Sequence, residues 1–139
     1  MGRLLGVDYG DRRLGFALSD PLGMIASARE VVTVEAPEHA ANETVKRVKE
    51  WGAEGIVVGL PLNMDGTRGP AVQKVEAYVA LLKARCATPI HLWDERLTTK
   101  SAHDAMRESG VREKDRRGLV DKVAAQILLQ GYLDAHPTF

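Results

Sequence analysis

The chain has a single cysteine, Cys86, which excludes an internal disulfide and the multi-cysteine zinc patterns and fits a reducing compartment. It reads as core filler at a helix end. An excess of charge of either sign is also missing, because 19 Lys and Arg balance 19 Asp and Glu. No global positive field therefore announces a nucleic-acid partner bound by charge alone. Phosphates can still be held at a site neutralised by cations, where the metal is the largest local positive charge. No apolar run approaches membrane-spanning length, no signal-peptide pattern precedes the first strand, and no repeat or low-complexity segment is present. The expectation is a cytoplasmic protein. His39, His91, His103 and His136 have no cysteine or second histidine at metal-ligand spacing and read as packed or satisfied side chains. What is present is 139 residues, 45% of them hydrophobic, enough for one domain spanning 1–139 that buries its own core.

The stretch Leu4 to Ser19 organises the rest. Leu4, Leu5, Gly6 and Val7 form a short apolar run, as in a central strand covered on both faces. Asp8 follows, and then the turn Tyr9-Gly10-Asp11-Arg12. Leu14, Phe16 and Leu18 alternate with Arg13, Gly15, Ala17 and Ser19, the period of a half-buried strand returning antiparallel. Asp20-Pro21-Leu22-Gly23 is a turn, and Ala26 to Val34 a third strand rich in β-branched residues. From Pro37 to Trp51, Ala41, Thr44, Val45 and Val48 recur at helical spacing, with Lys46, Arg47, Lys49 and Glu50 on the other side. Gly55 to Leu60 reads as a buried strand parallel to the first. It runs into Pro61 to Gly69, a loop dense in turn formers at a position where open α/β sheets bind ligands. Pro70 starts a helix with Val72, Val75, Val79 and Leu82 inward, and Pro89 to Trp93 is the fifth strand.

Asp94 and Glu95 stand at the end of that strand, with Thr98 and Thr99 placed to cap a helix near Lys100. The charged stretch Val111 to Gly118 reads as a solvated loop. A closing helix follows, lined by Val120, Val123, Ala124, Ile127, Leu128 and Gly131, with Asp121 in its first turn, where the helix dipole alone favours an acid. Ala124 and Ala125 are small enough to bring it close to the sheet. The order predicts an α/β, ribonuclease H-like fold: a five-stranded mixed sheet, made of an antiparallel three-stranded meander plus two parallel strands, with helices on both faces. Asp8, Glu95 and Asp121 fall where folds of that kind keep their acids. Three carboxylates drawn together repel unless a cation neutralises them, and oxygen ligands select Mg²⁺ or Mn²⁺. Two such ions about 3.5 to 4 Å apart can activate water and stabilise a leaving oxygen in phosphodiester hydrolysis.

Four segments carry a resemblance to a known family. Gly6-Val7-Asp8-Tyr9-Gly10, Val58 to Thr67 (VGLPLNMDGT), Asp94 to Thr99 (DERLTT), and Asp121 with Ala124 and Ala125 are similar to the motifs of the YqgF/RuvX proteins of bacteria, and the resemblance spans essentially the whole chain. It implies a ribonuclease H-like nuclease with Asp8, Glu95 and Asp121 as catalytic, metal-binding acids. The family role it implies is trimming precursor 16S rRNA at its 5′ end; an older label is Holliday junction resolvase acting on branched DNA. Asp94 is the less secure neighbour of Glu95, since adjacent residues at a strand end point to opposite faces. Arg12, Arg13, Asn63, Arg96, Arg116 and Arg117 are candidate nucleic-acid contacts. Two rivals differ in class. A phosphate-binding ATPase of the actin or sugar-kinase type is disfavoured because Asp11 stands where such loops carry a hydroxyl, and 139 residues cannot supply the second lobe. A ribosome-assembly binding module with a vestigial site is disfavoured by the intact acids. No long exposed apolar helix offers a dimer face, so a monomer or weak homodimer is expected.

Overall fold

The computed structural model describes residues 2–95 and 113–136, with side-chain placement for all of these except 113–122. In chain order the elements are β1 (Arg3–Tyr9), β2 (Arg13–Ser19), β3 (Ala26–Thr33), α1 (Pro37–Trp51), β4 (Ala53–Leu60), α2 (Pro70–Arg85), β5 (Ile90–Asp94) and α3 (Glu113–Ala135). The strands form one sheet in the order β3-β2-β1-β4-β5. The meander is antiparallel, whereas β1 to β4 and β4 to β5 are parallel, as the intervening helices require. This is the expected five-stranded mixed sheet, with β1 at its centre.

Strand alternation divides the core between two faces. Leu5, Val7, Leu14, Phe16, Ile56 and Val58 pack under α1 and α2, while Ala17, Ala26 and Val57 pack under Ala125, Leu128, Leu129 and Leu133 of α3. The helix can sit so low because β1 carries Gly6 beneath it. A Cβ at Gly6 would lie 2.8 Å from Leu129 Cβ and 3.2 Å from the Ala125 carbonyl oxygen.

Four expectations change. First, β2 is not half-buried: α3 covers its second face, so Ala17 and Ser19 are as buried as Leu14 and Phe16. Second, Arg47 faces inward rather than out. It is 6% exposed, lies over the Phe16 ring at 4.7 Å, and is held by Glu30 at 2.5 Å and Glu43 at 2.6 Å; burial of the charge is tolerated because both partners are in place. Third, α3 begins at Glu113, so residues 113–118 are helix rather than loop. Fourth, Asp121 is accordingly well inside that helix and not in its first turn, which removes the helix-dipole explanation for an acid there. The proposed helix near Lys100 lies outside the described residues.

Local chemistry sets the turns and element ends. α1 ends at Gly52 in the left-handed region (φ 64), whose N–H donates to the Val48 carbonyl. Asp20 ties its turn by accepting from the Met24 and Ile25 amides at 2.7 and 2.9 Å, and those bonds hold its carboxyl below the usual range. Cys86 caps the end of α2 and packs against the core edge. The β2–β3 ladder shifts register between Phe16 and Ala17, which face Glu30 and Ala28 and leave Arg29 bulged on the outer strand. Among the described residues no helix is long and apolar enough to cross a membrane.

Candidate active site

Asp8 is the penultimate residue of β1 and lies on the α3 side of the sheet, two residues beyond Gly6. Glu95 directly follows β5, two strands away. What lets them meet is the strand between. Val7 pairs with Val58 and Gly59 pairs with Trp93, so Gly59 lies between the two acids with no side chain to separate them. The Glu95 side chain folds over this gap: a Cβ at Gly59 would lie 2.8 Å from Glu95 Cγ and Cδ and would collide with Oε1. The two carboxyl groups are close enough for Asp8 to act directly on the ionisation of Glu95. Burial pushes the Glu95 carboxyl up, the interaction with Asp8 pulls it back, and the charge of Asp94 raises it again. Glu95, not Asp94, is the member of the pair that reaches Asp8.

Beside Asp8 opens a cleft of about 380 Å³, lined by Asp8, Gly10, Asp11, Arg12 and Arg13. Its rim is the β1–β2 turn, closed by the Gly10 amide donating to the Arg13 carbonyl at 2.9 Å. A Cβ at Gly10 would stand 3.0 Å from that same carbonyl oxygen, so the tight turn depends on glycine. It brings Arg12 and Arg13 to the mouth of the cleft that holds Asp8.

A family model described as "RuvX: Holliday junction resolvase" matches residues 2–135. The chain belongs to the RuvX family. A protein of Clostridium novyi is 46% identical over 133 residues, covering 96% of this chain and 98% of its own. One of Halothermothrix orenii is 44% identical over 132 residues, covering 95% and 94%. Both carry the name "Putative pre-16S rRNA nuclease". Among solved structures, RuvC of T. thermophilus in complex with a Holliday junction substrate matches with a TM-score of 0.59 at 15% identity, over 97% of this chain and 95% of its own. The Fowlpox virus resolvase in complex with Holliday junction DNA matches at 0.60 and 11%, over 98% and 99%. At these identities the likeness is one of fold, and the fold is ribonuclease H-like.

The remaining candidates of this RuvX chain divide by position. Asp121 lies in α3 one turn before Ala125, the residue whose carbonyl closes on Gly6; its side chain is outside the described set, as are those of Arg116 and Arg117, and Arg96 is wholly outside it. Among the described residues no group of three or more His, Cys, Asp or Glu comes together; of the three predicted acids, Asp8 and Glu95 do. Asn63 does not line the Asp8 cleft. Its amide donates to Thr67 Oγ1 at 3.0 Å, its backbone binds Thr67 and Gly66, and Gly66 adopts φ 85 to close the loop. The residue to which sequence reading gave no role of its own, beyond its place in the fourth strand and in the Val58 to Thr67 motif, is Gly59. A glycine inside a buried strand signals close approach of another group, and here that group is the Glu95 carboxyl.

Proposed function

We propose that this RuvX chain is a divalent-metal-dependent endonuclease of the cytoplasm that hydrolyses phosphodiester bonds in precursor 16S rRNA, near its 5′ end. The observation that carries the reading is the meeting of the Asp8 and Glu95 carboxyls over Gly59, beside a cleft rimmed by two arginines. Two half-buried acids drawn together are a costly arrangement for a protein to keep, because their charged forms repel, and a cation between them would relieve it. The donors are carboxylate oxygens only, which fits Mg²⁺ or Mn²⁺. Asp8 and Glu95 would hold the metal, joined by Asp121 from α3. When bound, such ions supply an activated water and charge neutralisation at the leaving oxygen.

The chain's own groups supply position. Arg12 and Arg13 hold phosphates of the strand at the cleft mouth by charge-assisted hydrogen bonds, Gly59 leaves the space that Glu95 needs, and the Gly6 contact fixes α3 against β1. The relatives' name favours the rRNA precursor; the family description and the two resolvase structures favour branched DNA as the second reading. The deciding experiment offers a precursor-rRNA fragment and a four-way DNA junction side by side, with Mg²⁺ or Mn²⁺. Cleavage of the RNA by the wild type and none by Asp8→Asn is the expected result. Cleavage of neither substrate by the wild type with either metal would leave a nucleic-acid-binding assembly factor as the better description.

A further inference from the structure

Asp8 and Tyr9 are consecutive in β1 and point to opposite faces, and on the Tyr9 side lies a second groove of about 420 Å³. Its lining includes Tyr9, Glu35, Pro37, Pro70, Gln73 and Lys74. A narrower hollow of about 220 Å³, bounded by Tyr9, Gly10, Asp11 and Lys74 among others, shares Gly10 and Asp11 with the Asp8 cleft and Tyr9, Asp11 and Lys74 with the groove. The three hollows share lining residues around the β1–β2 turn, where Lys74 and Asp11 form an ion pair at 2.8 Å. The Asp8 cleft and the Tyr9 groove thus lie on either side of one short turn.

One wall of the groove is an aromatic ring. Tyr9 stacks on Tyr78 with centroids 4.7 Å apart and planes 25° apart. Tyr78 is fully buried and anchored by its hydroxyl to Thr44 Oγ1 at 2.7 Å, so Tyr9 is a braced platform rather than a loose surface ring. Prolines 37 and 70 add rigid apolar walls. The polar groups argue against a bare phosphate, because Asp11 and Glu35 both line the groove; a carboxylate instead suits a base edge carrying N–H donors, and the Gln73 amide can both donate and accept. We propose that the Tyr9 groove receives the unpaired nucleobase next to the scissile phosphate, stacked on Tyr9 and read by Gln73 and Glu35. Adenine, cytosine and guanine present exocyclic N–H groups and should be preferred there over uracil. The inference rests on the nuclease reading and adds a base-specificity subsite to it.

The test uses single-stranded precursor-rRNA fragments with 2-aminopurine placed in turn on either side of the cut. With cleavage blocked by Asp8→Asn, binding should quench the fluorescence at one of the two positions, and Tyr9→Leu added to it should abolish the quench. In the cleaving enzyme, Tyr9→Leu should raise KM about tenfold, as expected for loss of one base–aromatic stack, with a much smaller change in kcat. Tyr9→Phe should restore both readouts. Gln73→Ala, on an exposed helix face, should keep the quench and reduce discrimination against uracil. A wild type that cleaves, with no quench at either position and an unchanged KM in Tyr9→Leu, would overturn the subsite and leave the nuclease standing. A wild type that cleaves nothing would overturn the nuclease reading and the subsite with it.

Discussion

The Asp8 and Glu95 pair makes single-residue outcomes unusually distinct. Asp8→Asn and Glu95→Gln keep volume and hydrogen-bonding shape while removing a carboxylate, so each should abolish cleavage with the fold intact by circular dichroism. Asp121→Asn should do the same, whereas Asp94→Asn should cost less; a larger loss at Asp94 than at Glu95 would show the wrong neighbour had been chosen. Stability should move in the other direction. Because the folded state holds the Glu95 carboxyl above its ordinary value, this group's contribution is fully present below the ordinary glutamate range, about pH 4, and is lost as pH rises through the raised value. Metal-free wild type should therefore lose melting temperature as pH climbs from there towards neutrality. Glu95→Gln, which does not titrate, should stay flatter in melts run with a chelator. A wild-type curve parallel to that of the variant would mean that the fold does not hold the Glu95 carboxyl above its ordinary value.

Among elements, α3 shows best what a sequence can and cannot disclose. Its apolar stripe and its small residues Ala124 and Ala125 were readable, and they do place a helix against the sheet. The matching hollow at Gly6 belongs to another part of the chain, and only the fold brings Leu129 within 2.8 Å of where its Cβ would stand. Gly6→Val should thus destabilise by about 1 to 3 kcal/mol, the usual cost of overpacking a tight contact, measurable as a lower denaturant midpoint. An unchanged midpoint would mean that α3 is not held on β1 as described. The same reasoning explains the misreadings. The second face of β2 is covered by an element about a hundred residues later, since Ala17 packs with Ala125, Leu128 and Leu129, and the same helix is tied to neighbouring β3 where the Ala26 amide donates to Gln130 Oε1 across 104 positions. Arg47 reads as a surface cation until Glu30 arrives from 17 residues away. Asp8 and Glu95 were legible because each ends an apolar run, a local pattern. The role of Gly59 was not, because it depends on the cross-strand register of β4 with β5.

For the whole molecule, neutrality confines attraction for nucleic acid to local groups. Replacing Arg12, Arg13, Arg116 and Arg117 by alanine should weaken binding and flatten its dependence on salt, since each phosphate contact releases counterions, while turnover at saturating substrate largely survives. An unchanged salt slope would reduce these arginines to solvated surface. Assembly decides between the two substrates. Resolving a junction takes paired cuts from a symmetric dimer, whereas trimming an RNA takes one site. The expected outcome is a monomer or weak dimer by sedimentation at micromolar concentration, with uncoupled nicks if a junction is offered. A tight two-fold dimer making simultaneous opposed cuts, and sparing the RNA, would reverse the assignment.

The bulge at Arg29 bears on a different hazard. β3 is the outermost strand on its side of the sheet, and an unprotected outer strand is a template on which further chains can stack into fibrils. Here the ladder is broken at mid-strand by the register shift opposite Phe16 and Ala17. The guanidinium of the extra residue lies 5.8 Å from the Trp51 ring centroid, and the next residue, Glu30, is engaged with Arg47. An incoming strand would find neither a straight row of amides nor an uncharged flank, so this rim of the protein resists runaway self-templating.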